Sequence, residues 1–227
     1  MHRVKVRVVE DALDANTTIA DANRADFAHA GVGVINLMSA PGAGKTTLLE
    51  AVLGPGIEGV RVGVLEGDVA GSLDADRLAA LHIPVVQLNT DAGFGGECHL
   101  DANMVRSALP ALDLHALDLL IVENVGNLVC PAEFRIGEDA RIMVASVSEG
   151  EDKPLKYPLM FRACELVVVN KLDLLEHVRF DLEKFRYYLD QVHPGVQVIA
   201  TSAYTGEGVD ELRDWLARVP ARARVAV

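Results

Sequence analysis

A chain of 227 residues that is 50% apolar but only 5% aromatic suits one large α/β domain, whose Val/Leu/Ile strands are buried between helices and need few rings. Its formal charge of −12 argues against nucleic acid or an anionic membrane as a main partner. No apolar run approaches the roughly 20 residues that span a bilayer.

The first residues, Met1-His2-Arg3-Val4-Lys5, lead into an alternating stretch rather than the apolar segment of a signal peptide, so the expectation is a cytoplasmic protein. Three cysteines in a reducing compartment favour metal, catalysis or burial over disulfides. Residues 1–31 read as an N-terminal extension packed on the core, with a strand-like alternation (Val4, Val6, Val8) followed by an amphipathic stretch from Ile19 to Ala30. Within it, Asn16-Thr17-Thr18 matches a glycosylation sequon but reads more simply as a helix N-cap. Gly31 and Gly33 then open residues 32–227, a single nucleotide-binding domain.

Val34–Met38 is an apolar strand running into Ser39-Ala40-Pro41-Gly42-Ala43-Gly44-Lys45-Thr46-Thr47. This is a phosphate-binding loop: Gly42, Ala43 and Gly44 turn backbone N–H groups toward a β-phosphate, and Lys45 bridges the β- and γ-phosphates. The Thr46 hydroxyl ligates Mg²⁺, and Thr47 continues into a helix whose positive end faces the anion. Ser39 stands where the usual pattern has glycine. Strand candidates follow at Val60–Leu65, Val85–Leu88, Leu119–Val122, Ile142–Val147, Leu166–Val169 and Val196–Ala200. They alternate with helix candidates at Thr46–Leu53, Ala75–Leu81, Leu100–Leu109, Phe180–Val192 and Gly208–Arg218. The alternation predicts a mostly parallel sheet with helices on both faces, the architecture of a phosphate-loop (P-loop) NTPase. Ala221-Arg222-Ala223-Arg224 reads as a solvated tail.

Two strand ends carry acids toward the nucleotide. Val64-Leu65-Glu66-Gly67-Asp68 offers Asp68 for the Mg²⁺ shell, with Asp74 a second candidate. Glu123-Asn124-Val125-Gly126 takes the place of Asp-x-x-Gly, with Gly126 positioned to sense the γ-phosphate through its N–H. Asn127 occupies the place of a water-orienting glutamine, and no activating arginine is evident, so hydrolysis should be slow.

The base is chosen at Leu166-Val167-Val168-Val169-Asn170-Lys171-Leu172-Asp173, an apolar strand ending in Asn-Lys-x-Asp. A carboxylate at Asp173 accepts from both N1–H and the exocyclic amine of guanine, whereas adenine would leave it desolvated and unpaired. Asn170 ties the loop back to the phosphate loop and the Lys171 stem lies along the base. Ser202 and Ala203, in Thr201-Ser202-Ala203, supply a backbone N–H for guanine O6. GTP is therefore the expected ligand.

Gly95-Gly96-Glu97-Cys98-His99-Leu100-Asp101 and Gly126-Asn127-Leu128-Val129-Cys130-Pro131 both follow parallel strands, where open α/β sheets build their sites. Two thiolates and an imidazole from Cys98, His99 and Cys130 would suit Zn²⁺ or Ni²⁺. The pattern equally fits a helix-start cysteine and a buried one. A fourth ligand would be water or come from a second chain across a symmetric interface. Cys164, before an apolar strand, reads as core packing.

Ser39–Thr47, Gly96–Asp101, Glu123–Pro131, Lys156-Tyr157-Pro158 with Met160-Phe161-Arg162, and Asn170–Asp173 together resemble the hydrogenase nickel-incorporation GTPases of the HypB family, from about Asn16 to the C-terminus. The resemblance implies a GTP-dependent metallochaperone that dimerises on GTP or metal binding and helps load nickel into [NiFe]-hydrogenase. Its partners would be hydrogenase maturation proteins and the hydrogenase large subunit. It also implies Zn²⁺ or Ni²⁺ on Cys98, His99 and Cys130 at the dimer interface, and a lysine such as Lys153 reaching nucleotide from the partner subunit. The N-terminal cysteine motif or histidine-rich tract of some members has no counterpart here: residues 1–31 hold only His2 and His29. The urease accessory GTPases are the nearest rival, but their Cys-Pro-His order differs from Cys98-His99. A regulatory GTP-binding switch with structural cysteines is the alternative of another class.

Overall fold

A computed structural model describes residues 4–69, 71–90 and 98–220, with side chains from residue 13 onward. In chain order the strands are β1 (Gly33–Ser39), β2 (Val62–Asp68), β3 (Val85–Asn89), β4 (Leu119–Glu123), β5 (Ala140–Ser146), β6 (Leu166–Asn170) and β7 (Gln197–Ala200). The helices are α1 (Val4–Ala30), α2 (Lys45–Leu53), α3 (Leu73–Ala79), α4 (Ala102–Ala108), α5 (Cys130–Glu133), α6 (Lys153–Lys156), α7 (Pro158–Arg162), α8 (Leu182–Val192) and α9 (Val209–Ala217). All strand pairs are parallel, in the order β3-β2-β4-β1-β5-β6-β7, so every strand delivers its C-terminal end to the same edge.

Side chains alternate across the sheet and separate two apolar layers. Ile35, Leu37, Ile121 and Val168 pack with α2 and α9 on one face. On the other, Met143, Val167 and Val169 meet α7 and α8, while Val34, Leu65 and Leu120 meet α1 and α4. The predicted strands and helices are all present, with ends moved by a few residues, as hydrogen-bond criteria and frayed ends require.

The N-terminal segment departs from expectation. Val4, Val6 and Val8 lie in the first turns of a continuous helix rather than a strand. No Gly or Pro stands between these valines and Ala30, so nothing stops the helix from running back through them. The alanines that follow favour helix propagation. Asn16 is correspondingly in mid-helix rather than at an N-cap, and Thr17 and Thr18 donate to the carbonyls of Leu13 and Asp14. The helix buries Asn16, Ala20, Asn23 and Phe27, one stripe at helical spacing. Phe27, 2% exposed, anchors it, worth about 1.5–3 kcal/mol of burial. Gly31 (φ 71°) ends it in the left-handed conformation, with Val32 N–H donating to Phe27 O at 3.1 Å. Residues 221–227, the expected solvated tail, lie outside the described residues.

Candidate nucleotide and metal site

The phosphate loop is held by its own backbone turns and side-chain bonds. Gly42 (φ 74°) and Gly44 (φ 91°) take left-handed backbone that β-carbon-bearing residues resist. A β-carbon on Gly44 would also come within 3.0 Å of Asn170 Nδ2. Ser39 has a role of its own at the position where glycine is usual: its hydroxyl donates to Ala40 O at 2.6 Å and accepts from Lys45 Nζ at 3.0 Å, parking the lysine over the loop. Thr46 Oγ1 donates to Glu123 Oε1 at 2.8 Å, and Lys45 Nζ lies 4.0 Å from the same oxygen.

A cavity of about 480 Å³ opens above, lined by the loop, Glu123, Asp74, Arg77, the Asn170–Leu174 turn, Ala203 and Tyr204. Glu123 has a neighbour that sequence reasoning passed over. In the β2–β4 register Glu66 stands beside Glu123; both are buried, and each has an Oε2 with no hydrogen-bond partner. Burial, then the Glu123 charge, pushes the Glu66 carboxyl up to about 7. Burial likewise raises Glu123, against the opposing pull of Lys45, and lowers Lys45, against the pull of Glu123. The Thr46 hydroxyl on Glu123, and an orphaned buried carboxylate oxygen on each of Glu123 and its register neighbour Glu66, are oxygen donors of the kind a hard divalent cation takes, so Mg²⁺ fits these residues.

Asp68 sits at the outer end of β2, its Oδ1 accepting from Val69 N–H at 2.7 Å. Asp74, on the cavity wall, is held by Arg77 at 2.9 Å. Arg77 is the second residue that no motif singled out. It lines the cavity while bonded to Glu50, Asp74 and Thr47 Oγ1, so its charge is already engaged.

On the base side, Asn170 binds three segments together. Its Nδ2 donates to Ala43 O at 3.1 Å, and its Oδ1 accepts from Thr201 Oγ1 at 3.1 Å and Ala203 N–H at 3.3 Å. Lys171, itself left-handed (φ 67°), donates from Nζ to Gly42 O at 2.6 Å, laying its stem over the loop. Ser202 Oγ donates to Asp173 Oδ1 at 2.5 Å, aiming the carboxylate into the cavity. Lys153 does not line that cavity; it lies 3.8 Å from Glu149 and over the Tyr157 ring.

Cys98, His99 and Cys130 converge, their ligand atoms all within 4.8 Å of one another. Cys98 Sγ is 3.2 Å from Cys130 Sγ and 3.9 Å from His99 Nδ1, and the His99 ring packs against Phe134. Burial, then the hydrogen bond with Cys98 and the charge of Cys98, push the Cys130 thiol up. A soft divalent cation fits this donor set. Cys164 is buried in the core, as its sequence context predicted. Gly95, Gly96 and Glu97 lie outside the described residues.

The two sites share one loop. Glu123 ends β4, Gly126 follows, and Cys130 begins α5. A β-carbon on Gly126 would fall 2.8 Å from Pro41 Cα, so only glycine lets this loop rest on the phosphate loop. Asn124, fully buried, donates to Asn36 Oδ1 on β1 at 3.1 Å and accepts from Leu100 N–H, next to His99, at 2.9 Å.

Residues 33–200 match the family model for the CobW/HypB/UreG nucleotide-binding domain. The chain belongs to the CobW/HypB/UreG family. It is 47% identical over 214 residues to the hydrogenase maturation factor HypB of Escherichia coli K12, covering 94% of this chain and 72% of that protein. The crystal structure of HypB from Helicobacter pylori in complex with nickel superposes with a TM-score of 0.85 at 32% identity, covering 92% of this chain and 96% of that one. HypB from Archaeoglobus fulgidus gives a TM-score of 0.83 at 35% identity, over 91% and 99% of the two chains. The fold is thus that of a P-loop GTPase of this family.

Proposed function

We propose that the chain is a GTP-binding, slowly GTP-hydrolysing metallochaperone that passes nickel on for [NiFe]-hydrogenase maturation. The observation that carries this reading is the single loop on which Glu123 meets the phosphate loop and Cys130 meets Cys98 and His99. The names of its HypB relatives support the hydrogenase context.

In this reading Asp173, aimed by Ser202, selects guanine, with Asn170, Lys171 and the Ala203 N–H completing the base site. Gly42 to Thr47 cradle the phosphates, and Lys45 exchanges Ser39 for phosphate oxygens. Mg²⁺, when bound, neutralises charge that develops on the phosphates. Thr46, Glu123 and Glu66 hold it, with Asp68 and Asp74 around it. Gly126 reports the γ-phosphate, and the engaged state of Arg77 keeps hydrolysis slow.

Cys98, His99 and Cys130 bind Ni²⁺ or Zn²⁺, with the fourth position filled by water or by a second copy. Val69, Leu73, Val129, Leu155 and Leu159 are exposed apolar side chains following the C-terminal ends of β2, β4 and β5. That supports a homodimer facing this edge, with Lys153 crossing to the partner's nucleotide. Among the described residues no helix is long and apolar enough to cross a membrane. Nickel titration of the native protein and of Cys98→Ala tests the reading: the native chain should bind nickel stoichiometrically and the variant should not. Equal binding by both would refute a thiolate site.

A further inference from the structure

Helix α1 does more than cover the sheet. Asn16 and Asn23, seven residues and two turns apart, lie on its buried stripe. Asn16 Oδ1 accepts from Ala102 N–H at 2.9 Å, while its Nδ2 donates to Arg135 O at 2.8 Å. Asn23 Nδ2 donates to Ala102 O at 2.8 Å and to Ile136 O at 3.1 Å, and its Oδ1 accepts from Arg106 at 3.0 Å. Ala102 lies just beyond His99 in sequence, and Arg135 and Ile136 just beyond Cys130. Each asparagine therefore bonds to both ligand-bearing segments at once.

A second observation points the same way. Gly137 is left-handed (φ 99°), and a β-carbon there would meet Ala20 O at 2.7 Å and Arg24 N at 2.9 Å. The segment after Cys130 thus lies directly on the α1 backbone. That same segment carries Phe134, the ring against which His99 packs.

We propose that Asn16 and Asn23 are positioning residues for the metal site: α1 is a splint that holds the Cys98-His99 segment and the Cys130 segment in binding register. The inference rests on the reading of Cys98, His99 and Cys130 as metal ligands. Neither asparagine touches the metal. Both act by removing freedom that a metal would otherwise have to quench. Groups bonded to the ligands themselves typically change metal affinity by about 10–100-fold, and side chains one step further out should fall at the lower end of that range. The splint also makes α1 a lever, since displacing it would part the two segments without touching the nucleotide.

The test is a nickel titration of the full chain, followed through the thiolate-to-nickel charge-transfer band against a competing chelator. GTP affinity and Tm are measured alongside. Asn16→Ala and Asn23→Ala should weaken nickel by about 10-fold and leave GTP affinity within about twofold. Asn16→Asp separates the two roles of that side chain, because it keeps the acceptor for Ala102 N–H and loses the donor to Arg135 O. It should weaken nickel as much as Asn16→Ala, and being nearly isosteric it serves where Asn23→Ala does not fold. Thr17→Ala and Thr18→Ala, on the same helix but bonded only to their own turn, should change nothing. Wild-type nickel affinity in Asn16→Asp and Asn23→Ala would overturn the splint. Absence of the band in the native chain would instead overturn the metal site itself, and the splint with it.

Discussion

The nucleotide half and the metal half of this edge are built differently. Around the cavity, the functional groups are tied between elements: Lys45 to Ser39, Asn170 to Ala43, Lys171 to Gly42, Asp173 to Ser202. Each bond joins a strand end to the phosphate loop or to the next strand end, so the sheet itself sets the geometry. The metal half has no such frame. Cys98 is exposed, its partner Cys130 opens α5, and the two segments are held by Asn127, which donates to Cys98 O at 3.1 Å, by Asn124 and by α1. A site framed by strand ends tolerates little and discriminates strongly. A site held in register by a few side-chain bonds opens when those bonds part, which is what a carrier that must also release its cargo requires.

This contrast is sharpest at the base. Asp173→Asn should reverse selectivity, favouring xanthosine over guanosine triphosphate, because the new amide meets a 2-oxo group instead of an amine. A site built on a required hydrogen bond loses about 10⁴-fold when its complement is removed, and competition binding with the two nucleotides reads it. Unchanged preference would show that the frame does not select the base. Next in size, Lys45→Ala should lower kcat for GTP hydrolysis by about 10²–10³-fold, the cost of one lost donor at the transition state. Far-UV circular dichroism should be unchanged, since β1 and α2 do not depend on that side chain for their ladders.

In the metal half, Cys98→Ala and Cys130→Ala should each abolish stoichiometric nickel binding yet leave GTP affinity within about threefold, a difference of less than 1 kcal/mol. A large loss of GTP affinity would mean that the two halves are one frame after all. The smallest effect belongs to Glu66. Its folded carboxyl titrates near 7, above the ordinary 4.5, so its protonated form stabilises the fold below pH 4.5 and that contribution is lost as pH rises through 7. Without nucleotide or magnesium, Tm of the native chain should therefore fall relative to Glu66→Gln between pH 5 and 8. Magnesium nucleotide should restore it. A parallel pH course for both proteins would show that Glu66 is not strained.

The same contrast explains what could be read from the sequence. The phosphate loop and Asn170–Asp173 were legible because backbone turns and base edges demand fixed residues at fixed spacing. The strand and helix order was legible because buried parallel strands are apolar runs. Glu66 was not, since its partner Glu123 becomes a neighbour only through the β2–β4 register. Arg77 was hidden for a similar reason: a helical arginine is ordinary until the fold turns it onto the cavity. Cys98, His99 and Cys130 could be suspected, but only the convergence of two loops separates ligands from stray cysteines. The N-terminal valines misled because three alternating positions are a weak strand signal, and no Gly or Pro separates them from the helix-forming residues that follow.

Glu123, Asn124, Gly126 and Cys130 form the one stretch of chain through which the two halves would communicate. Linkage requires that nucleotide state and nickel change each other's affinity by one common factor, typically about 5–150-fold. The direct measurement is nickel affinity of the protein loaded with GDP and with a non-hydrolysable GTP analogue, repeated in Gly126→Ala, whose added methyl would press on Pro41. The account predicts a difference of at least about 5-fold in the native chain that shrinks toward none in Gly126→Ala. Identical nickel affinity in both nucleotide states of the native chain would contradict it.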